Sequence, residues 1–180
     1  MTRAFLLLSS LVLIAGCSYT GDAPKTSDSA AAGATSPDAA YMRDIAQANL
    51  AEIATGKLAV AKAQSPEVRR FGQLMIEDHT KLQREGAQVA AANGWPVPNQ
   101  PDERQQAAAK KLESMSGGSF DRAYMEQMVK NHAQTLQLLE RTFQEAKDPQ
   151  LRRVAQAAIP HVREHLDIAR RLAGDVVGLR

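Results

Sequence analysis

The sequence predicts an all-α fold, an antiparallel bundle of four long helices. Three observations lead there. Apolar residues recur at steps of three and four along four stretches, helix-start signals stand before each stretch, and no alternating strand pattern competes. Aromatic residues make up only 4% of the chain while Ala is abundant, which suits closely packed helices.

The first helix starts at Ser36-Pro37-Asp38, where a hydroxyl can satisfy a free backbone N–H and proline suits the first helical position. Its predicted span is about 37–63, with Met42, Ile45, Ile53 and Val60 inward and Asn49 and Gly56 between them. Ser65-Pro66-Glu67 repeats the device and opens a helix over 66–93 that carries Val68, Phe71, Met75, Leu82 and Val89. The acids Asp38 and Glu67 also favour the positive end of the helix dipole. Ser119-Phe120-Asp121 is a start without proline, for a helix over 119–147 that carries Phe120, Tyr124, Met128, Leu139 and Phe143. Asp148-Pro149-Gln150 opens the last, over 149–173. Its seam is Leu151, Ala155, Ala158, Val162, His165, Ala169 and Leu172, and Pro160 should kink it.

Helices one and two are joined by almost nothing, and so are three and four, which makes each pair an antiparallel hairpin. Between the hairpins lies "NGWPVPNQPDERQQAAAKKLESMSGGS", long enough to cross the bundle and to carry a short extra helix over about 102–115. A long crossover between two hairpins predicts a ferritin-like bundle.

The N-terminus reads as an address. Ala4 to Ile14 is an apolar run too short to span a bilayer, and Ile14-Ala15-Gly16-Cys17 resembles a bacterial lipoprotein signal. Residues 1–16 are thus expected to be a signal peptide, with Cys17 the lipid attachment that holds the protein on a membrane. Ser18 after it favours the outer membrane over the inner, facing the periplasm. Residues 17–36 are small, polar and aperiodic, a flexible tether with a reach of roughly 25 Å. Residues 37–180 form one domain. Cys17 is the only cysteine, so the chain has no intramolecular disulfide. No basic stripe with aromatics suggests nucleic acid, no Gly-rich phosphate loop follows a strand, and no Gly-x-Ser-x-Gly elbow appears.

"MIEDHT" (75–80) is echoed by "MVKNHA" (128–133), which places His79 on helix two and His132 on helix three. These are not equivalent positions of two tandem hairpins, so the echo does not mark simple duplication. Heights along the helices are more informative. Glu52 and His79 both lie roughly 20 Å from the first hairpin bend, and His132 and His165 roughly 25 Å from the second. In helices of roughly 40 Å, all four groups fall near mid-bundle. Such convergence is what a metal site in a bundle requires, and imidazole with carboxylate suits Zn, Fe, Cu, Ni or Mn. Asn49 and Tyr124 are expected to support the ligands, with Asp78 and His161 as alternative ligands. No Glu-x-x-His occurs at these histidines, so a di-iron ferritin-type site is not expected. His161 to His165 spells H-x-x-E-H, a weak protease pattern with Glu164 toward a flank. Met75 and Met128 read as core filler rather than as soft ligands. A lone histidine on an apolar seam is more often a hydrogen-bonded core residue than a ligand. Glu52 paired with an imidazole, without metal, is therefore the competing expectation.

The stretches "ANLAEIATGKLAVAKAQSPEVRRFGQLMIEDHTKL", "MSGGSFDRAYMEQMVKNHAQTLQLLE" and "AKDPQLRRVAQAAIPHVREHLDIARRL" resemble the bacterial domain-of-unknown-function family 4142 over about Tyr41 to Leu172. Asn49, Glu52, Asp78, His79, Asp121, Tyr124, His132 and His165 match its pattern, whereas Asn131 stands where the pattern has Asp. The resemblance implies a ferritin-like exported or outer-membrane protein and no established activity. Two expectations follow for the envelope. One is a transition-metal-binding bundle with Glu52, His79, His132 and His165 as ligands. The other is a structural lipoprotein with a metal-free polar core and an envelope protein as partner. No catalytic residue is assigned.

Overall fold

The computed structural model describes residues 35–178. The expected signal peptide and Cys17, and the expected tether apart from its last two residues, lie outside them. Five helices follow in order: α1 (Pro37–Lys62), α2 (Pro66–Asn93), α3 (Glu103–Glu113), α4 (Gly117–Glu145) and α5 (Pro149–Val177). Among the described residues no strand occurs and no helix is long and apolar enough to cross a membrane.

The helix starts form as their side chains dictate. The hydroxyl of Ser36 accepts from the backbone N–H of Ala39, that of Ser65 from Glu67 and Val68, and the carboxylate of Asp148 from Gln150 and Leu151. Asp102 and Gln105 close a reciprocal capping box on α3. Gly94, at φ 66°, ends α2 in the left-handed conformation that glycine tolerates best. The α4 start departs from expectation. It begins at Gly117 after Ser116, whose side chain caps nothing. Asp121 is free for another task because it points across the bundle. Residue 160 is proline, yet α5 continues helical beyond it to Val177.

α1 packs along α2 and α4 along α5, and the two hairpins lie side by side through α1 on α4 and α2 on α5. Two carboxylates join them. Asp38, in the first turn of α1, accepts from the backbone N–H groups of Lys147 (3.1 Å) and Asp148 (2.7 Å) in the α4–α5 bend. Asp121, in the second turn of α4, accepts from the backbone N–H groups of Gln64 (3.0 Å) and Ser65 (2.8 Å) in the α1–α2 bend. Both carboxylates are buried. α1 and α4 therefore run antiparallel, and the connector traverses the whole length of the bundle with α3 resting on α1. This is the ferritin-like arrangement.

The bends are built alike. Residues 63–70 read AQSPEVRR and residues 146–153 read AKDPQLRR. Arg69 Nη1 donates to the Ala63 carbonyl (2.5 Å) and Arg152 Nη1 to the Ala146 carbonyl (2.9 Å). The likeness between hairpins thus lies at their bends, not at the Met-x-x-x-His echo.

The core is divided. One apolar cluster gathers Met42, Ile45, Leu82, Leu139, Leu151 and Val162, and the other gathers Phe71, Met75, Phe120, Tyr124, Met128 and Ala169. Along every long helix the residues between the two clusters include polar ones: Asn49, Glu52 and Thr55 on α1, His79 on α2, His132 on α4 and His165 on α5, all buried. Two expected core residues face out instead, Val60 (40% exposed) and Phe143 (39%). On α1 the inward stripe is Asn49, Glu52, Gly56 and Ala59, which turns Val60 to solvent, and on α4 it is Leu139, Thr142 and Ala146. Gly56 and Gly72 let α1 and α2 touch. A Cβ on Gly56 would lie 2.8 Å from the Gly72 carbonyl oxygen, and one on Gly72 would lie 2.7 Å from the Ala59 Cβ.

Replacing Asp121 by Ala strands two backbone donors at a buried bend. Urea denaturation of Asp121→Ala and of Asp38→Ala should each show a loss of about 1–3 kcal/mol. An Asp38→Ala, Asp121→Ala double variant that loses no more than either single would show that the clamps do not act at separate ends.

Candidate metal centre

Three of the four predicted ligands meet. His79 from α2, His132 from α4 and His165 from α5 each expose 2% of their surface or less. Their ring centroids form a near-equilateral triangle with sides of 5.7, 5.5 and 5.5 Å. One nitrogen from each ring lies within 4.8 Å of those of the other two.

The second nitrogen of every ring is held by an oxygen that can only accept. Asn49 Oδ1 lies 2.9 Å from His79 Nδ1, the Met128 carbonyl 2.9 Å from His132 Nδ1, and Asp78 Oδ2 2.9 Å from His165 Nε2. Each contact places the proton on that nitrogen. The remaining atoms, His79 Nε2, His132 Nε2 and His165 Nδ1, are buried and have no hydrogen-bond partner among the described residues. Each ring thus keeps one buried lone pair with no partner among the described residues.

Electrostatics keeps two of the rings, His79 and His165, in that state. Burial pushes the His79 imidazole well below its ordinary value, and the neighbouring His132 and His165 push it the same way. His165 is also lowered, chiefly by burial, although its bond to Asp78 opposes the shift. Neutral imidazole is the form that ligates a metal.

Glu52 stands beside His132, and its carboxylate is not among the atoms that gather within 4.8 Å of one another. Its Oε1 accepts from Asn131 Nδ2 (3.2 Å), and its buried Oε2 has no partner. Burial raises its carboxyl above the usual range, while His132 and the Asn131 bond pull it down. The amide at 131 is explained by this contact: a carboxylate there would face Glu52 with like charge, while the amide donates to it. His132 takes its support from the backbone of its own preceding turn, which no side-chain pattern could announce.

The supporting roles divide. Asn49 holds His79 as expected, and Asp78, one-third exposed, holds His165 rather than joining the cluster. Tyr124 corrects the expectation that it supports a ligand. Its ring is fully buried, stacked on Phe120 at 5.7 Å, and its hydroxyl hydrogen-bonds to nothing. Burial and the nearby Glu52 charge raise that phenol well above its ordinary value. His161 is exposed, outside the cluster, and affects His165 only through its charge. Glu164, the carboxylate of the H-x-x-E-H pattern, is exposed as well. Phe71, which sequence reading treated as one more seam residue, lies against three rings of the centre's surroundings: Tyr124 (6.3 Å), His132 (6.3 Å) and His165 (6.5 Å).

The family model described as a domain of unknown function, DUF4142, matches residues 23–172. Among solved structures, a crystal structure of a DUF305 protein from Streptomyces coelicolor, described as secreted, matches with a TM-score of 0.66 and 15% identity. The match covers 84% of this chain and 96% of that one, and at this identity it shows a shared fold. No curated protein matches the sequence.

A metal-free sample should lose stability on acidification. His79 and His165 have folded values below the ordinary 6.5, so their contribution is complete above that pH and falls as pH drops through it toward the folded values. Thermal melts between pH 8 and pH 5 should show Tm falling across the acidic half of that range. The fall should shrink in His79→Gln; an unchanged slope would separate it from this imidazole.

Proposed function

Because the chain belongs to the DUF4142 family, whose description carries no activity, we propose a function from the site itself: the protein binds a divalent transition metal at His79, His132 and His165. One observation carries this reading. Three buried imidazoles each bring one nitrogen within 4.8 Å of the other two, and each ring has one buried nitrogen without a partner among the described residues while its other nitrogen is anchored. A buried polar atom without a partner costs about 1–3 kcal/mol, and three at one point are explained if an ion takes all three lone pairs. Around an ion bound at 2.0–2.1 Å, such nitrogens sit about 3.4 Å apart, so the rings would close inward slightly.

The donor set supports Zn, Fe, Cu or Ni over Ca or Mg, and Mn fits less well because nitrogen dominates. Among the described residues Glu52 Oε2 is the one buried carboxylate oxygen without a partner, and it completes the coordination or binds a metal-bound water. Its raised affinity for a proton is what an adjacent cation would reverse. Anchored partners on each ring fix the tautomer that offers the lone pair inward. We assign no reaction: binding is the activity. The lipoprotein-type signal and Cys17 support a setting at the cell envelope for this binding, with the membrane as the partner through a lipid on Cys17 and an envelope protein as a further partner.

Metal analysis of purified protein, followed by titration with Zn(II) and Co(II), tests this. One ion per chain is expected, together with a rise in Tm that a chelator reverses; at a free concentration 100-fold above Kd the stabilisation is about 2.7 kcal/mol. Joint replacement of His132 and His165 by Ala should abolish stoichiometric binding. Protein that copurifies without metal, takes none up and melts alike with and without chelator belongs instead to the metal-free reading, a structural lipoprotein with a self-paired polar core.

A further inference from the structure

Phe71 has a second face. Together with Glu67, Arg70, Leu74, Ile168 and Leu172 it lines a surface groove of about 250 Å³ between α2 and α5. The ring itself is only 3% exposed, so it forms the floor of that groove while its inner side meets the His132 and His165 rings. Glu67 and Arg70 pair with each other at 2.7 Å on the exposed rim, leaving the apolar floor open to approach.

The other near-surface approach ends differently. Asp78, one-third exposed, leads to His165 Nε2, the nitrogen that carries the proton. A cation arriving there meets an N–H rather than a lone pair. Asn49 and the Met128 carbonyl close the outer nitrogens of His79 and His132 in the same way, and Asn49 is itself buried. On the α2–α5 side it is Phe71 that stands against the His132 and His165 rings.

We infer that Phe71 is the gate of the centre, and that small solutes reach the imidazoles from the α2–α5 groove when its ring swings aside. That the solute is a metal ion rests on the reading above; the route does not. Side-chain rotation needs no backbone opening, whereas a buried layer inside four packed helices admits small species only through such local excursions. Exchange of the ion is then limited by this ring.

The route is tested with diethylpyrocarbonate, which acylates imidazole lone pairs and needs no metal. Peptide mapping of the metal-free protein should show exposed His161 modified quickly and His79, His132 and His165 protected. In Phe71→Ala, His132 and His165 should react faster by about tenfold or more, with Phe71→Leu between the two. Leu139→Ala removes buried apolar volume from the opposite half of the core and should leave both protected. If Phe71→Ala leaves both protected, or if Leu139→Ala exposes them equally, the gate is overturned. Should Phe71→Ala not fold, the leucine variant is compared with Leu139→Ala alone, and equal rates overturn it. Release of Co(II) to a chelator from the loaded protein supplies the second readout: faster from Phe71→Ala at unchanged stoichiometry. Protein that takes up no Co(II) refutes the metal reading and leaves the acylation result to decide the route.

Discussion

Asp38 and Asp121 set the height of one hairpin against the other, and every contact between the halves inherits that setting. Each carboxylate reaches from near the start of one hairpin into the bend of its neighbour and takes two backbone N–H groups there. Apolar packing alone is tolerant of sliding, since ridges and grooves repeat at each turn. A carboxylate that must find particular backbone donors is not. With one clamp at each end of α1 and α4, a slip of one helical turn, 5.4 Å, would break both. The imidazoles depend on this, because a triangle with 5.5 Å sides does not survive such a slip.

The layer so aligned is an exception inside the bundle. Apolar clusters lie on either side of it, and within it the described structure leaves Glu52 Oε2 and one nitrogen of each imidazole without a partner. The same layer supplies well-made bonds to the other nitrogen of every ring. Full satisfaction on the outer side and none on the inner side is not what a generic polar core would show, since a self-paired core would spread its bonds over both. Burial does the rest, by holding His79 and His165 neutral.

The helices and their order were legible because helix starts are local chemistry. Ser36, Ser65 and Asp148 stand beside their prolines and act within a few residues. Mid-bundle convergence was legible too, since rise per residue converts position into height. What failed were judgements that depend on rotation or on distant partners. Val60 and Phe143 are apolar residues one step out of phase with stripes whose inward members are small or polar, such as Gly56, Ala59 and Thr142. Asp121 reads as a helix-start acid until the partner bend is seen beside it. Tyr124 sits at the right spacing, yet its hydroxyl makes no bond. The Met128 carbonyl and the two-faced position of Phe71 leave no sequence signature, one being backbone and the other a property of the surface behind it.

The triad also bears on chain topology. A protein with a single cysteine has no covalent way to tie distant stretches of itself together. His79, His132 and His165 belong to three helices and are separated by 53 and 33 residues of chain. An ion shared by all three closes those stretches into loops. In the chain-entropy account of cross-links, a closed loop of the longer size removes about 4 kcal/mol of freedom from the unfolded chain, provided the link persists there. Such a link would be reversible, would involve no thiol of this chain and would be dissolved by acid. Where secreted proteins commonly use a disulfide staple, this fold has the means for an ionic one, and its strength would follow metal supply rather than redox state.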